Sequence, residues 1–120
     1  METFFDLKKH PKIKLTVVGA RKSSLLEAIL DTGFDGFLSL PINIAVTLGI
    51  ELTAIIPVEY ADGRISQELV FSVKVELDGK VEIVHATLTA GAEALIGTAL
   101  LAEYELRVNF PRKKITLQKV

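Results

Sequence analysis

The stretch that decides the fold is Ala28-Ile29-Leu30-Asp31-Thr32-Gly33-Phe34-Asp35-Gly36. It leaves the apolar run Leu25–Leu30, crosses the glycine-containing loop Asp31–Gly36, and enters a second short run, Phe37–Leu40, that ends at Pro41. A carboxylate in a tight turn between two buried strands requires a reason, because desolvation disfavours its charged form unless it is paired or neutralised. The tripeptide Asp31-Thr32-Gly33 alone is weak, since Asp-Ser/Thr-Gly arises by chance in roughly one chain in twenty of this length. Its context carries the weight. A strand precedes it, a short strand and a helix start follow it, and Ala94-Leu95-Ile96-Gly97 answers it later in the chain.

Working outward, the pattern is mostly period two, with short β-branched runs broken by Gly turns. Ile13, Leu15 and Val17 alternate with Lys14, Thr16 and Val18 before Gly19. Arg21–Ser24 reads as a polar turn. Pro41–Leu48 predicts a short helix, with proline at its start, Gly49 just past its end, and Ile44 and Leu48 on one face. Two long strands, Glu51–Tyr60 and Ile65–Leu77, are joined by Ala61-Asp62-Gly63-Arg64, and Asp-Gly is a strong hairpin signal. Asp78-Gly79 turns the chain into Val81–Leu88. Thr98–Glu103 predicts a second short helix, followed by strands Glu105–Phe110 and Ile115–Val120. Frequent turns and short strands predict an all-β chain closed into a barrel, with one or two short helices.

Composition narrows the function classes. A length of 120 residues fits one domain, 1–120, and 49% hydrophobic residues supply a core. The net charge of -1 and scattered basic residues argue against nucleic acid. The tightest basic cluster, Arg112-Lys113-Lys114 after Pro111, reads as a solvated turn. With no cysteine, disulfides, thiolate nucleophiles and Cys-based metal sites are excluded. His10 and His85 have no partner at metal-ligand spacing, so neither a metal nor a cofactor is expected. Met1–His10 is too polar for a signal peptide and no run is long enough to span a membrane, so the expected location is cytoplasmic, with no membrane partner.

Four elements in order resemble the retropepsin-like aspartic peptidases, the single-lobe relatives of the retroviral proteases. They are Ala28–Gly33; Phe37-Leu38-Ser39-Leu40-Pro41 with the helix after it; the Asp62-Gly63 hairpin at the place of the family's flap; and Leu95-Ile96-Gly97 followed by Thr98–Glu103. The resemblance runs from about Lys12 to Val120. It implies an acid-protease-like barrel of one lobe per chain. It also implies an aspartic endopeptidase in which Asp31, with Thr32 and Gly33, forms the catalytic loop. Only one Asp-Thr-Gly is present, so the second aspartate comes from another copy and catalysis implies a homodimer acting on a peptide or protein. The terminal segments, Phe4, Phe5 and Ile115-Thr116-Leu117, are the expected dimer elements.

The resemblance places substrate contacts at Phe34, Asp35, Ala61, Asp62, Gly63 and Ile96. Gly33 is expected to adopt backbone angles closed to other residues, and Gly97 to let backbone approach backbone. Two positions depart from the retroviral pattern. Phe34 stands where many members have Ala or Ser and is expected to crowd the cleft, although bacterial and archaeal members carry the Phe-x-Gly that Phe34-Asp35-Gly36 matches. Ala99 stands where the retroviral enzymes have Asn or Asp after the glycine, a residue that braces the loop by hydrogen bonds, so a less rigid loop is expected. These departures keep a competing reading open: a dimeric barrel that binds an extended peptide and cleaves it poorly or not at all.

Overall fold

A computed structural model describes residues 2–120; Met1 lies outside the described residues. Ten strands and one helix follow in the order β1 (Thr3–Phe5), β2 (Pro11–Val18), β3 (Ser23–Leu30), β4 (Leu38–Pro41), α1 (Ile42–Leu48), β5 (Glu51–Glu59), β6 (Ile65–Leu77), β7 (Lys80–Thr89), β8 (Ala94–Ile96), β9 (Tyr104–Asn109) and β10 (Lys114–Lys119). Six of them close a barrel. The order β2-β3-β8-β4-β7-β6 returns on itself because Thr16, Val17 and Val18 of β2 pair with Glu76, Val75 and Lys74 of β6. The all-β, single-lobe barrel expected from the sequence is the one observed.

Alternation fills the barrel. Ile13, Leu15 and Val17 of β2, Val73, Val75 and Leu77 of β6, and Val84 and Ala86 of β7 all point into one core. Side chains one residue apart face opposite sides of a strand, so the period-two pattern read in the sequence is the inward face. The Asp78-Gly79 turn has both residues left-handed, at φ 53° and 78°, as a two-residue hairpin demands.

Strand β8 sets the position of the candidate site. It pairs in parallel with β3 (Leu30 opposite Ile96) and antiparallel with β4 (Leu38 opposite Ile96). The chain therefore leaves β3 at Leu30, passes around the end of β8, and returns on its other side as β4. The loop that makes this passage carries Asp31.

Two sequence expectations are corrected. Helix α1 forms and is closed by Gly49 in the left-handed conformation, but Thr98–Glu103 is a succession of turns. The N–H groups of Leu100 and Leu101 both reach the Gly97 carbonyl, and Tyr104 N–H closes on Leu101 before β9 begins. The second correction concerns the C-terminal strand. Ile115 and Leu117, expected at a dimer contact, are buried in this chain's own core. The β9–β10 hairpin folds back onto the barrel, and Thr3 Oγ1 of β1 donates to the Ile115 carbonyl at 3.3 Å.

Candidate active site

Strand β3 delivers Asp31 to the barrel end, and β8 holds it there. The Asp31 N–H donates to the Ile96 carbonyl at 2.9 Å. Beyond it, Phe34 N–H donates to the Asp31 carbonyl at 3.2 Å, and Gly33 N–H donates to the Asp31 carboxylate Oδ1 at 2.9 Å. The carboxylate is thus oriented by its own loop, an arrangement that Asp favours in turns. Asp31 remains partly exposed, with Thr32, Gly33 and Asp35 exposed beside it.

The segment after β8 clamps the loop a second time. Gly97 N–H donates to Phe37, Thr98 N–H to Phe34 at 2.8 Å, and Ala99 N–H to Gly36 at 3.2 Å. Three successive amides therefore tie this segment to the loop that carries Asp31. At Ala99 the contact to the loop is made by the main chain, and the side-chain brace that the resemblance places at this position is absent. Such close approach requires Gly97. A Cβ there would sit 2.5 Å from the Phe34 carbonyl oxygen and closer still to that of Gly36.

Other positions also differ from expectation. Gly33 is not in the left-handed region, so its turn is open to other residues on backbone grounds. What it supplies is space: a Cβ would stand 3.2 Å from the Asp31 carboxylate. Phe34 is half-buried, and its ring folds over its own loop. A Cβ on Gly36 would come within 2.6 Å of the ring, which gives the Phe-x-Gly spacing a physical cause. Ile96 is fully buried beneath the loop and meets Asp31 through its carbonyl, so its side chain is core.

Ala61, Asp62 and Gly63 lie together, exposed, at the tip of the β5–β6 hairpin. Gly63 N–H donates to Tyr60, Tyr60 N–H donates to Arg64, and Gly63 is left-handed at φ 85°. Asp62 accepts from Arg64 N–H at 3.0 Å and pairs with Arg64 Nε at 2.6 Å. Strand β5 is an edge strand joined to the sheet through β6 alone. Leu52, Ile55, Ile56, Ile65 and Leu69 are exposed along this hairpin. Among the described residues no hydrogen bond joins its tip to the Asp31 loop.

Sequence reading missed an ionic cluster that joins β2 to the residues after β1 and the segment before β8. The buried Lys12 places Nζ 2.9 Å from Glu93, in the segment entering β8, and 3.2 Å from Asp6, after β1. Bonds to Glu93 and Asp6 raise the Lys12 pKa against the opposing effect of burial. The His10 amide, with Lys12 and the Lys8 amide, holds Asp6 below the usual carboxylate range. Period-two alternation gave no warning, because Lys12 and Ile13 are buried in succession. Among the described residues no group of three or more His, Cys, Asp or Glu side chains is placed to hold a metal. Among the described residues no helix is long and apolar enough to cross a membrane.

No family profile and no curated protein matches the sequence. Solved structures do match. A retropepsin-like aspartic protease from Rickettsia conorii superposes with TM-score 0.67 at 15% identity, over 97% of this chain and 86% of that one. EIAV protease complexed with the inhibitor HBY-793 gives 0.59 at 16%, over 82% and 90%. The Simian Foamy Virus (mac) protease gives 0.54 at 12%, over 75% and 92%. This chain has the retropepsin-like fold. Within that fold the Asp-Thr-Gly loop, the β8 clamp and the β5–β6 hairpin are the parts set out above.

Proposed function

We propose that the chain is an aspartic endopeptidase that works as a homodimer, with Asp31 of each copy facing the other across the two-fold axis. One carboxylate accepts a proton from a water molecule while the other, protonated, donates to the carbonyl oxygen of the scissile peptide bond. The observation that carries this reading is Asp31 itself: partly exposed, doubly clamped through Ile96 and Gly33, on a loop braced by three further amides. Asp62 accepts an equivalent amide bond two residues on at its own turn, so what sets Asp31 apart is its anchorage to β8 and the amides that tie its loop to the segment after β8. A single chain supplies one such acid, and general acid and general base together require two. Thr32 reaches the partner's loop, and Gly33 with Asp35 borders the substrate backbone. Ala61, Asp62 and Gly63 close over the substrate from the hairpin tip, and Phe34 forms one wall.

The exposed apolar hairpin favours a second reading, a peptide-binding dimer without turnover. One experiment separates them: the purified protein and its Asp31→Asn variant are incubated with a peptide library from about pH 3 to about pH 7. Cleavage by the parent and not by the variant is expected. Equal cleavage by both overturns the aspartic mechanism. Peptide binding by both with no cleavage establishes the binding module.

A further inference from the structure

We propose that Phe34 is a positioning residue for Asp31: its ring lies across Gly36 and Gly97 and supplies the side-chain packing that joins the Asp31 loop to the segment after β8. A Cβ on Gly36 would stand 2.6 Å from the ring Cζ and 2.8 Å from Cε1, and a Cβ on Gly97 would stand 2.6 Å from the ring Cδ2. One half-buried ring therefore covers two glycines, one from each of the two segments that the amides tie together.

The residue types explain why a ring is needed there. Gly36 and Gly97 have no side chains with which to pack, and glycine weakens paired segments for that reason. Neither has positive φ, so neither serves a left-handed turn. Both leave the room that the ring fills, and an aromatic side chain laid over glycine restores the contact that glycine lacks. Polar side chains add little. Ala99 offers a methyl group, and the Thr98 hydroxyl on the Phe34 carbonyl, at 3.4 Å, is the one side-chain hydrogen bond among the described residues from this segment to the loop. The same two glycines take part in the main-chain ties, Ala99 N–H on the Gly36 carbonyl and Gly97 N–H on the Phe37 carbonyl. Apolar cover strengthens such bonds by lowering the local dielectric.

The route from the ring to the carboxylate is short. Phe34 N–H donates to the Asp31 carbonyl at 3.2 Å and closes the turn within which Gly33 N–H holds Oδ1. Fixing the ring fixes the corner of that turn, and with it the direction of the carboxylate. A misplacement of about 1 Å can cost a hundredfold in rate. The effect on turnover rests on the peptidase reading; the brace itself does not.

The test compares the full chain with Phe34→Ala, Phe34→Leu, Gly36→Ala and the double variant Phe34→Ala/Gly36→Ala. In Phe34→Ala the Thr98 and Ala99 amides should exchange with solvent about tenfold faster or more, while Val17 and Val75 at the barrel seam keep the parent's rates. Phe34→Leu, which retains part of the apolar contact, should fall between. Gly36→Ala, which pushes the ring aside, should speed the same amides even if Phe34→Ala does not fold. Gly36→Ala should lower the melting temperature of the parent and have little effect in the Phe34→Ala background, where the ring it meets is gone. In peptide cleavage, Phe34→Ala should lower kcat about tenfold or more with KM held within about twofold, and Phe34→Leu should recover part of the loss. Unchanged exchange at Thr98 and Ala99 overturns the proposal, as do strictly additive losses in the Phe34–Gly36 cycle. A raised KM with unchanged kcat also overturns it and makes the ring a substrate wall alone. Absence of cleavage by the parent refutes the peptidase reading instead, and exchange with the cycle then decides the brace by themselves.

Discussion

The carbonyl oxygen of Phe34 accepts two hydrogen bonds from Thr98, from the backbone N–H at 2.8 Å and from the hydroxyl at 3.4 Å. Through that oxygen the loop carrying Asp31 is tied to the segment leaving β8. Asp31 is held on one side by the end of β8 and on the other by the residues just after it.

Gly97→Ala should be the most damaging single-methyl change in this region. The added Cβ meets two carbonyl oxygens and the Phe34 ring, and backbone atoms cannot rotate aside. Overpacking of this kind costs about 2–3 kcal/mol, which lowers the melting temperature by roughly 8–12 °C in a chain of this size. Thr98→Val keeps the amide bond and loses only the long hydroxyl bond, so it should cost less than about 1 kcal/mol. Thermal unfolding of both variants checks the ranking, and equal stability would show that the clamp is not tight.

Much of this was legible in the sequence, and the failures have physical causes. Residues Ile13–Val18 and Val73–Leu77 announced their strands because each has one wetter face and one dry one. The Asp31 loop announced itself through Gly33, Gly36 and Gly97. Burial of Ile115 and Leu117 depends on where a hairpin lands in three dimensions, and local pattern holds no record of that. The same is true of Lys12, whose partners lie 6 and 81 residues away. The Ala99 contact to the Gly36 carbonyl is made by its backbone N–H, and the residue type at that position carries no signal for it.

At the hairpin tip Gly63 has φ 85° and open space where a Cβ would go. Gly63→Val therefore meets no clash, and its effect is conformational strain of about 1–2 kcal/mol confined to the turn. Peptide cleavage or peptide affinity should fall while circular dichroism and the dispersion of core amides stay the same. Unchanged cleavage and affinity would show that this hairpin is not the lid.

The Lys12 cluster sets both ends of a pH range. Asp6 titrates below its ordinary 3.8 in the folded chain, so its contribution is present above that value and is lost as pH falls through the lower folded value. Lys12 titrates above its ordinary 10.5, so its contribution is present below that value and is lost as pH rises through the higher folded one. Urea midpoints measured across pH should be flat between these limits as far as this cluster is concerned. Lys12→Met should lower the plateau and soften the alkaline fall, because Asp6 and Glu93 then face each other without the cation. A variant with the parent's midpoints throughout would remove the cluster from the stability of the fold.

The last prediction is the chemistry of the proposed dimer. Sedimentation at micromolar concentration should show a dimer, since one Asp31 cannot act as general acid and general base in the same step. The reaction needs one proton shared between two carboxylates. Removing it leaves no acid for the carbonyl oxygen, and adding a second leaves no base for the water. Cleavage should therefore be bell-shaped in pH with an acidic optimum, and a chelator should not affect it. Asp31→Asn should abolish turnover while keeping the Gly33 N–H bond to the side-chain oxygen, so the loop should stay folded. Its dimer should be as tight or tighter, because like charges at its centre are gone. A transition-state mimic with a hydroxyl between the carboxylates should inhibit, provided it passes Phe34. Strictly monomeric protein that still cleaves, or activity lost to a chelator, would refute the dyad. A clean dimer with no cleavage at any pH would leave the same site as a place where peptides bind.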